Sequence, residues 1–238
     1  MKILHTKSGY RLIRIISGRS NVFLLTNGDT NIMIDTTVSR LWKKIQKRLK
    51  KAGINHIDYL ILTHSHFDHA GNAYKIKEKF NCRVIINKKE ADYLARGDNV
   101  LPSGTTRFTI PIAKILGKQL RSFFRYDSCQ YDILAGSFFD LKNFGFHAYI
   151  LHTPGHTPGS MSIVVDNEIA LVGDTMFGIF RGSVFPPFAE DIRQLVESWG
   201  KLLKTGCSIF IPSHGTANSR KLVQKDYNKR IKNYLQTE

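Results

Sequence analysis

The sequence predicts a single α/β domain, and three observations carry that prediction. Short apolar runs bounded by turn residues read as buried strands, and segments with apolar residues three and four positions apart read as helices between them. The third observation is size: 238 residues, 42% of them hydrophobic, supply one sizeable core. No internal repeat, low-complexity stretch or linker divides the chain.

The elements follow in order. "YRLIRII", "NVFLLT" and "NIMID" are strands of a meander, with "NGDTN" as the turn joining the last two. Val38, Leu41, Trp42, Ile45 and Leu49 then form one apolar helical stripe that stops near Gly53, leaving Lys43, Lys44, Lys47, Arg48, Lys50 and Lys51 on the outer face. "YLILT" is a short buried strand. Ala73, Ile76 and Phe80 share a helical face, "RVII" is a strand, and "KKEADYLARG" is a short helix ending at Gly97. Residues 98–131 mix Gly, Pro, basic and aromatic residues without one period and read as an insertion, either a lid or a packed surface excursion. Strands return with "FHAYILHT", "MSIVV", the turn "DNE" and "IALVG". In "AEDIRQLVESWGKLLKTG", Ile192, Leu195, Val196, Trp199, Leu202 and Leu203 share a face, acids lead and Gly206 closes, so a helix is predicted. The strand "SIFIP" and a basic helix from about Ser219 finish the chain.

Composition excludes several classes. No apolar run approaches the roughly 18–20 residues that span a bilayer, and the apolar start is broken by Lys, Ser and Arg, so a cytoplasmic protein with no membrane partner is expected. Cys82, Cys129 and Cys207 are odd in number and widely spaced, which predicts buried free thiols rather than a disulfide framework. A formal charge of +16 favours anionic partners at long range, but basic residues between apolar helical positions are first of all a solvated face.

The chemistry concentrates in "THSHFDHAG". If the segment is extended, His64, His66 and Asp68 share parity and project to one side, and a turn after Asp68 brings His69 towards them. Imidazole nitrogens and a carboxylate suit zinc and other borderline divalent metals, but four ligands exceed what one hydrolytic zinc takes from protein. Two metals sharing ligands from elsewhere account for them better. His156 in "TPGHTPGS", Asp174 in "GDTMF" and His214 in "PSHG" each follow an apolar run, placing further donors at the ends of other strands.

These motifs, with "NVFLLT" and "NIMIDTT", resemble the metallo-β-lactamase superfamily over most of the chain and in the family's order. The resemblance implies a four-layer α/β/β/α sandwich with two metals at one edge: His64, His66 and His156 holding the first, Asp68, His69 and His214 the second, Asp174 bridging, and a hydroxide shared. Zinc is the expected metal, with iron or manganese as alternatives. Asp35 matches a family aspartate and would either orient a ligand histidine or cap a turn. His5, His56, His147 and His152 match no ligand position, and Arg181 would either bind a substrate anion or lie idle at the surface.

"TPGHTPGS" with "GDTMF" is most similar to glyoxalase II-like and lactonase-like hydrolases. A metal-dependent hydrolase of an ester, lactone or thioester is therefore expected, Asp68 serving as catalytic acid-base group and the substrate being a small molecule, with an anionic one among the options. Glyoxalase II carries a glutathione-binding helical region after its last histidine, whereas 24 residues follow His214 here. The alternatives are a phosphodiesterase acting on RNA or DNA, favoured only by the charge; a mononuclear-iron sulfur oxidoreductase; and a binding module without catalysis.

Overall fold

The computed structural model describes residues 2–18, 20–98, 103–106, 109–111 and 124–234. Its first sheet has seven strands whose spatial order follows the chain: β1 (Ile3–His5), β2 (Arg11–Ile16), β3 (Val22–Thr26), β4 (Asn31–Ile34), β5 (Tyr59–Ile61), β6 (Arg83–Asn87) and β7 (Ile133–Ala135). The meander β1 to β4 is antiparallel, and β4 to β7 run parallel. The second sheet comprises β8 (Phe138–Asp140), β9 (Ala148–His152), β10 (Met161–Val165), β11 (Ile169–Gly173), β12 (Ile209–Pro212) and β13 (Asn218–Ser219), in reverse spatial order with only β11 and β12 parallel.

Alternation along the strands builds the layers, because successive side chains point to opposite faces. Leu12, Phe23, Leu25, Ile32, Ile34, Ile61 and Ile85 meet Ile150, Ile163, Val165 and Leu171 in a core between the sheets. Their neighbours Ile13, Val22, Leu24, Met33, Leu60, Val84 and Ile86 point the other way, against helices α1 (Trp42–Lys51), α3 (Ala73–Phe80) and α4 (Ala91–Arg96). On the far side Val164, Ala170, Val172 and Phe210 pack against α5 (Ile192–Lys204) and α6 (Arg220–Tyr234). Strands buried on both faces are mostly apolar, so the central runs lack the polar alternation of a solvated sheet. The result is the four-layer α/β/β/α sandwich.

The apolar stripes predicted for α1, α3 and α5 face inward, buried at their centres and partly buried at Leu41, Trp42, Phe80 and Ile192. Ile45 and Leu49 of α1 are fully buried, its six cations face outward, and none of the six forms a salt bridge among the described residues. In α5, Asp191 caps the start by accepting from Gln194 N–H at 2.9 Å, and Trp199 lies in the core with its Nε1–H donated to the Thr175 carbonyl at 2.7 Å. The three cysteines are free and buried. No helix among the described residues is long and apolar enough to cross a membrane.

Four strands escape the sequence pattern: β1, β7, β8 and β13. They are the four edges of the two sheets, two or three residues long and partly solvated, too short to show a period. Of the expected insertion, residues 99–102, 107–108 and 112–123 lie outside the described residues, while β7 emerges just beyond its end.

Candidate metal centre

The carboxyl ends of the parallel strands converge at one edge of the sandwich, a common place for ligands in α/β folds. Asp35 follows β4, His64 follows β5, Asp174 follows β11 and His214 follows β12, while His156 lies in the β9–β10 loop. Cross-links hold the edges together: Met161 N–H donates to the Thr63 carbonyl at 2.9 Å, Ser213 N–H to Gly173 at 2.9 Å and Asn21 N–H to Ser213 at 2.7 Å. Gly173, at φ 54°, has no room for a side chain, since a Cβ there would stand 2.9 Å from that of Thr63.

All seven predicted side chains meet here, in three overlapping groups: His64, His66 and His156; His64, His69 and Asp174; Asp68, His69 and His214. One local expectation is corrected. Asp68 does not share an extended segment with His64 and His66, because a helical turn, α2 (Phe67–Ala70), begins directly after His66. His69 and Ala70 N–H both donate to the His66 carbonyl at 2.8 Å, and this turn carries Asp68 and His69 round to a second side.

In the first group His64 Nε2 lies 2.9 Å and His156 Nε2 3.1 Å from His66 Nδ1. Partners fix two of these rings. The Phe188 carbonyl can only accept, so His156 Nδ1, 3.0 Å away, carries the proton and Nε2 presents a lone pair. Thr63 Oγ1 gives its proton to Asp35 at 2.9 Å and so accepts from His64 Nδ1 at 3.1 Å, leaving His64 Nε2 as a lone pair as well. Two lone pairs thus face one His66 nitrogen, and a proton there can satisfy only one of them. A cation satisfies all three, and donors bound at roughly 2.0–2.1 Å around a tetrahedral zinc would stand about 3.3 Å apart.

The second group adjoins the first through Asp174. Its Oδ1 lies 3.4 Å from His69 Nε2, and its Oδ2 lies 3.2 Å from His214 Nε2 and 3.5 Å from His156 Nε2. Asp68 stands beside the same two histidines, 3.5 Å from His214 and 3.9 Å from His69. His69 Nε2 and Asp174 Oδ1 are buried and make no hydrogen bond. Orphaned buried polar atoms cost about 1–3 kcal/mol each, more where charged, so facing each other they fit a bound cation between them.

Charge is distributed unevenly. Burial, together with the neighbouring imidazoles, holds His64 well below the ordinary histidine pKa, and burial takes His156 down to about 4 against the pull of Asp174. Burial acts the same way on His69 and His214, but Asp174 with Asp35 outweighs it at His69, and Asp174 with Asp68 at His214, so both are raised. Burial opposes the ionisation of Asp174, yet His214 and His69 keep it well below the usual carboxylate range.

Asp35 is aimed at the centre rather than at a turn. In a left-handed conformation (φ 58°) and 1% exposed, it accepts from His69 Nδ1 at 2.8 Å, Thr63 N–H at 2.8 Å, Thr63 Oγ1 at 2.9 Å and Ser213 Oγ at 3.1 Å. Sequence reasoning missed Glu90, 2% exposed at the start of α4. Its Oε2 takes both Ser65 N–H (3.0 Å) and Oγ–H (2.5 Å), while Oε1 takes Gly159 N–H (3.1 Å), tying the two histidine loops together. An acid inside "KKEAD" gives no sign of this. Tyr126, from the described end of 98–131, donates to the Ser65 carbonyl at 2.6 Å, and Phe124 packs on Phe67 with centroids 4.5 Å apart.

The other histidines stand apart from these groups. His56 lies 3.5 Å from Asp58, His147 lies 3.1 Å from Asp166, His152 Nε2 bonds the Pro158 carbonyl at 2.8 Å, and His5 sits in edge strand β1. Arg181 is exposed.

Comparison with known proteins agrees with this architecture. The metallo-beta-lactamase superfamily model matches residues 16–214, and the chain belongs to that superfamily. A probable metallo-hydrolase of Methanocaldococcus jannaschii is 36% identical over 207 residues, 84% of this chain and 90% of that protein. A hydroxyacylglutathione hydrolase of Haemophilus influenzae is 29% identical over 86% of this chain and 90% of its own length. An atrochrysone carboxyl ACP thioesterase of Aspergillus fumigatus is 24% identical over 92% of this chain, which spans 61% of that protein. Among solved structures, an archaeal superfamily member from Sulfolobus tokodaii superposes with a TM-score of 0.66 at 21% identity, covering 92% of this chain and 86% of its own, which shows the shared fold.

Proposed function

We propose that this protein, a metal-dependent hydrolase of the metallo-β-lactamase superfamily, cleaves an ester, lactone or thioester at a centre for two divalent cations. His64, His66 and His156 would hold the first ion, Asp68, His69 and His214 the second, and Asp174 both. The observation that carries this reading is the position of Asp174, one oxygen directed to His69 and the other to both His156 and His214. When bound, two such ions, zinc for preference, would polarise the acyl carbonyl and acidify a shared water to the nucleophile.

The chain's own residues supply the rest. Asp35 and the Phe188 carbonyl keep His69 and His156 in the tautomers whose lone pairs face the centre. Glu90 keeps the loops of His66 and His156 in register. Asp68 is the more solvated carboxylate, its side chain 14% exposed against 5% for Asp174, so it can meet both water and a leaving group. It would orient the attacking water and return a proton to the departing oxygen or sulfur. The relatives named as a hydroxyacylglutathione hydrolase and an ACP thioesterase weight the choice of bond towards thioesters.

The test is elemental analysis of the purified protein followed by a screen of thioesters, lactones, phosphodiesters and β-lactams. Turnover of an acyl substrate is expected, nearly insensitive to salt where that substrate is a neutral ester or lactone, with Asp68→Ala lowering kcat about 10²–10⁴-fold while the protein stays folded. Cleavage of phosphodiesters alone, falling steeply with ionic strength, would overturn the choice of bond.

A further inference from the structure

The rim of the centre carries apolar side chains that the reaction itself does not use. The Phe177 ring stacks on His214, centroids 4.7 Å and planes 21° apart. Gly178 N–H donates to the His214 carbonyl at 2.8 Å, and Thr216 N–H returns a bond to Gly178 at 3.1 Å. The two backbones are so close that a Cβ on Gly178 would stand 1.9 Å from the Thr216 carbonyl oxygen, and one on Gly215 would stand 2.3 Å from the Gly178 carbonyl carbon. This clamp fixes the start of segment 179–182 to the loop that bears His214.

Ile179 and Phe180 come next, 54% and 47% exposed. At about 3.3 Å per extended residue, the backbone of Phe180 lies no more than about 7 Å from Gly178. Arg181 follows, exposed and without an ion pair among the described residues. The His156 side has a similar feature. Thr109 Oγ1 donates to the Pro187 carbonyl at 2.8 Å, and the next residue along, Phe188, accepts from His156 Nδ1. Ile110, adjacent to Thr109, is 43% exposed.

Leaving a large apolar side chain in water forgoes about 1.5–3 kcal/mol of burial, and the strands of this chain bury such residues on both faces. Three of them exposed on segments tethered beside His214 and His156 are what the apolar part of a small-molecule site requires. We propose that Ile110, Ile179 and Phe180 bind the apolar chain of an acyl substrate and that Arg181 contacts an anionic group on its carrier, which makes the substrate a medium-chain acyl thioester of an anionic thiol. The inference rests on the acyl hydrolysis proposed above.

Two measurements separate it from that reading. Binding of S-octyl- and S-ethyl-coenzyme A, thioethers that no hydrolase cleaves, is followed by calorimetry, and kcat/KM is compared for octanoyl- and acetyl-coenzyme A. The octyl thioether should bind at least tenfold tighter than the ethyl, with the preference lost in Phe180→Ala and in Ile179→Ala. Arg181→Ala should weaken both thioethers and flatten their salt dependence. The octanoyl-to-acetyl ratio of kcat/KM should fall at least tenfold in Phe180→Ala. If neither thioester is hydrolysed but the octyl preference and its loss hold, the subsite stands and the choice of a thioester bond fails. Equal affinities for the two thioethers, or a preference unchanged in both variants, overturn the subsite even if acetyl-coenzyme A is hydrolysed.

Discussion

The pocket of His64, His66 and His156 and the pocket of Asp68, His69 and His214 share Asp174, yet they present their imidazoles differently. In the first, burial keeps His64 and His156 uncharged, and hydrogen bonds to Thr63 and the Phe188 carbonyl turn their lone pairs inward. In the second, carboxylates surround the histidines and raise their proton affinity, and the side chains of Asp68 and His214 are part-exposed at 14% and 15%. The first pocket is therefore a fixed, dry donor set with little competition from protons. On the proposed function, the second would trade some metal affinity at low pH for carboxylates that can handle protons during a reaction.

The most damaging change to this division is Asp174→Ala, which removes the group common to both pockets. Loss of several kcal/mol of charge stabilisation corresponds to a fall in kcat/KM of about 10³-fold, measured on the best substrate of the screen. Retention of most activity would show that the pockets work independently. Asp35→Asn attacks the second pocket from behind, because an amide NH2 would confront donors from Thr63 or Ser213 where a carboxylate oxygen now accepts. Metal affinity, read by chelator competition, should drop about 10–100-fold.

Acid should separate the pockets directly. Metal must displace any proton on its ligand, so the raised histidines, His69 and His214, lose affinity first as pH falls below their elevated values, while His156 stays uncharged down to about 4. Dialysis at stepped pH should release one ion per chain well before the other, and simultaneous release would erase the distinction. The smallest effect is expected for Glu90→Gln, which leaves one N–H of Ser65 or Gly159 facing an amide NH2. A loss of about 1–3 kcal/mol in denaturant unfolding is expected, with metal stoichiometry retained.

What could be read from the sequence divides along physical lines. The central strands declare themselves, because burial on both faces forces continuous apolar runs such as those around Leu24 and Val164. The edge strands β1, β7, β8 and β13 face water on part of their surface and need no such run. The centre was legible because its donors are chemically distinctive and stand directly after buried strands, in motifs matching the superfamily. The place of Asp68 was not, because the switch from extended chain to helical turn after His66 is made by hydrogen bonds to the His66 carbonyl and not by any turn residue. Nor was Glu90, whose three bonds reach residues 25 and 69 positions away and leave no mark on local pattern.

The most direct test of the paired pockets is anomalous diffraction at the zinc edge from crystals of the zinc-loaded protein. Two peaks about 3.5–4 Å apart are expected, one among His64, His66 and His156 and the other among Asp68, His69 and His214, with Asp174 reaching both. One peak alone at full zinc loading, or peaks away from Asp174, would contradict the account.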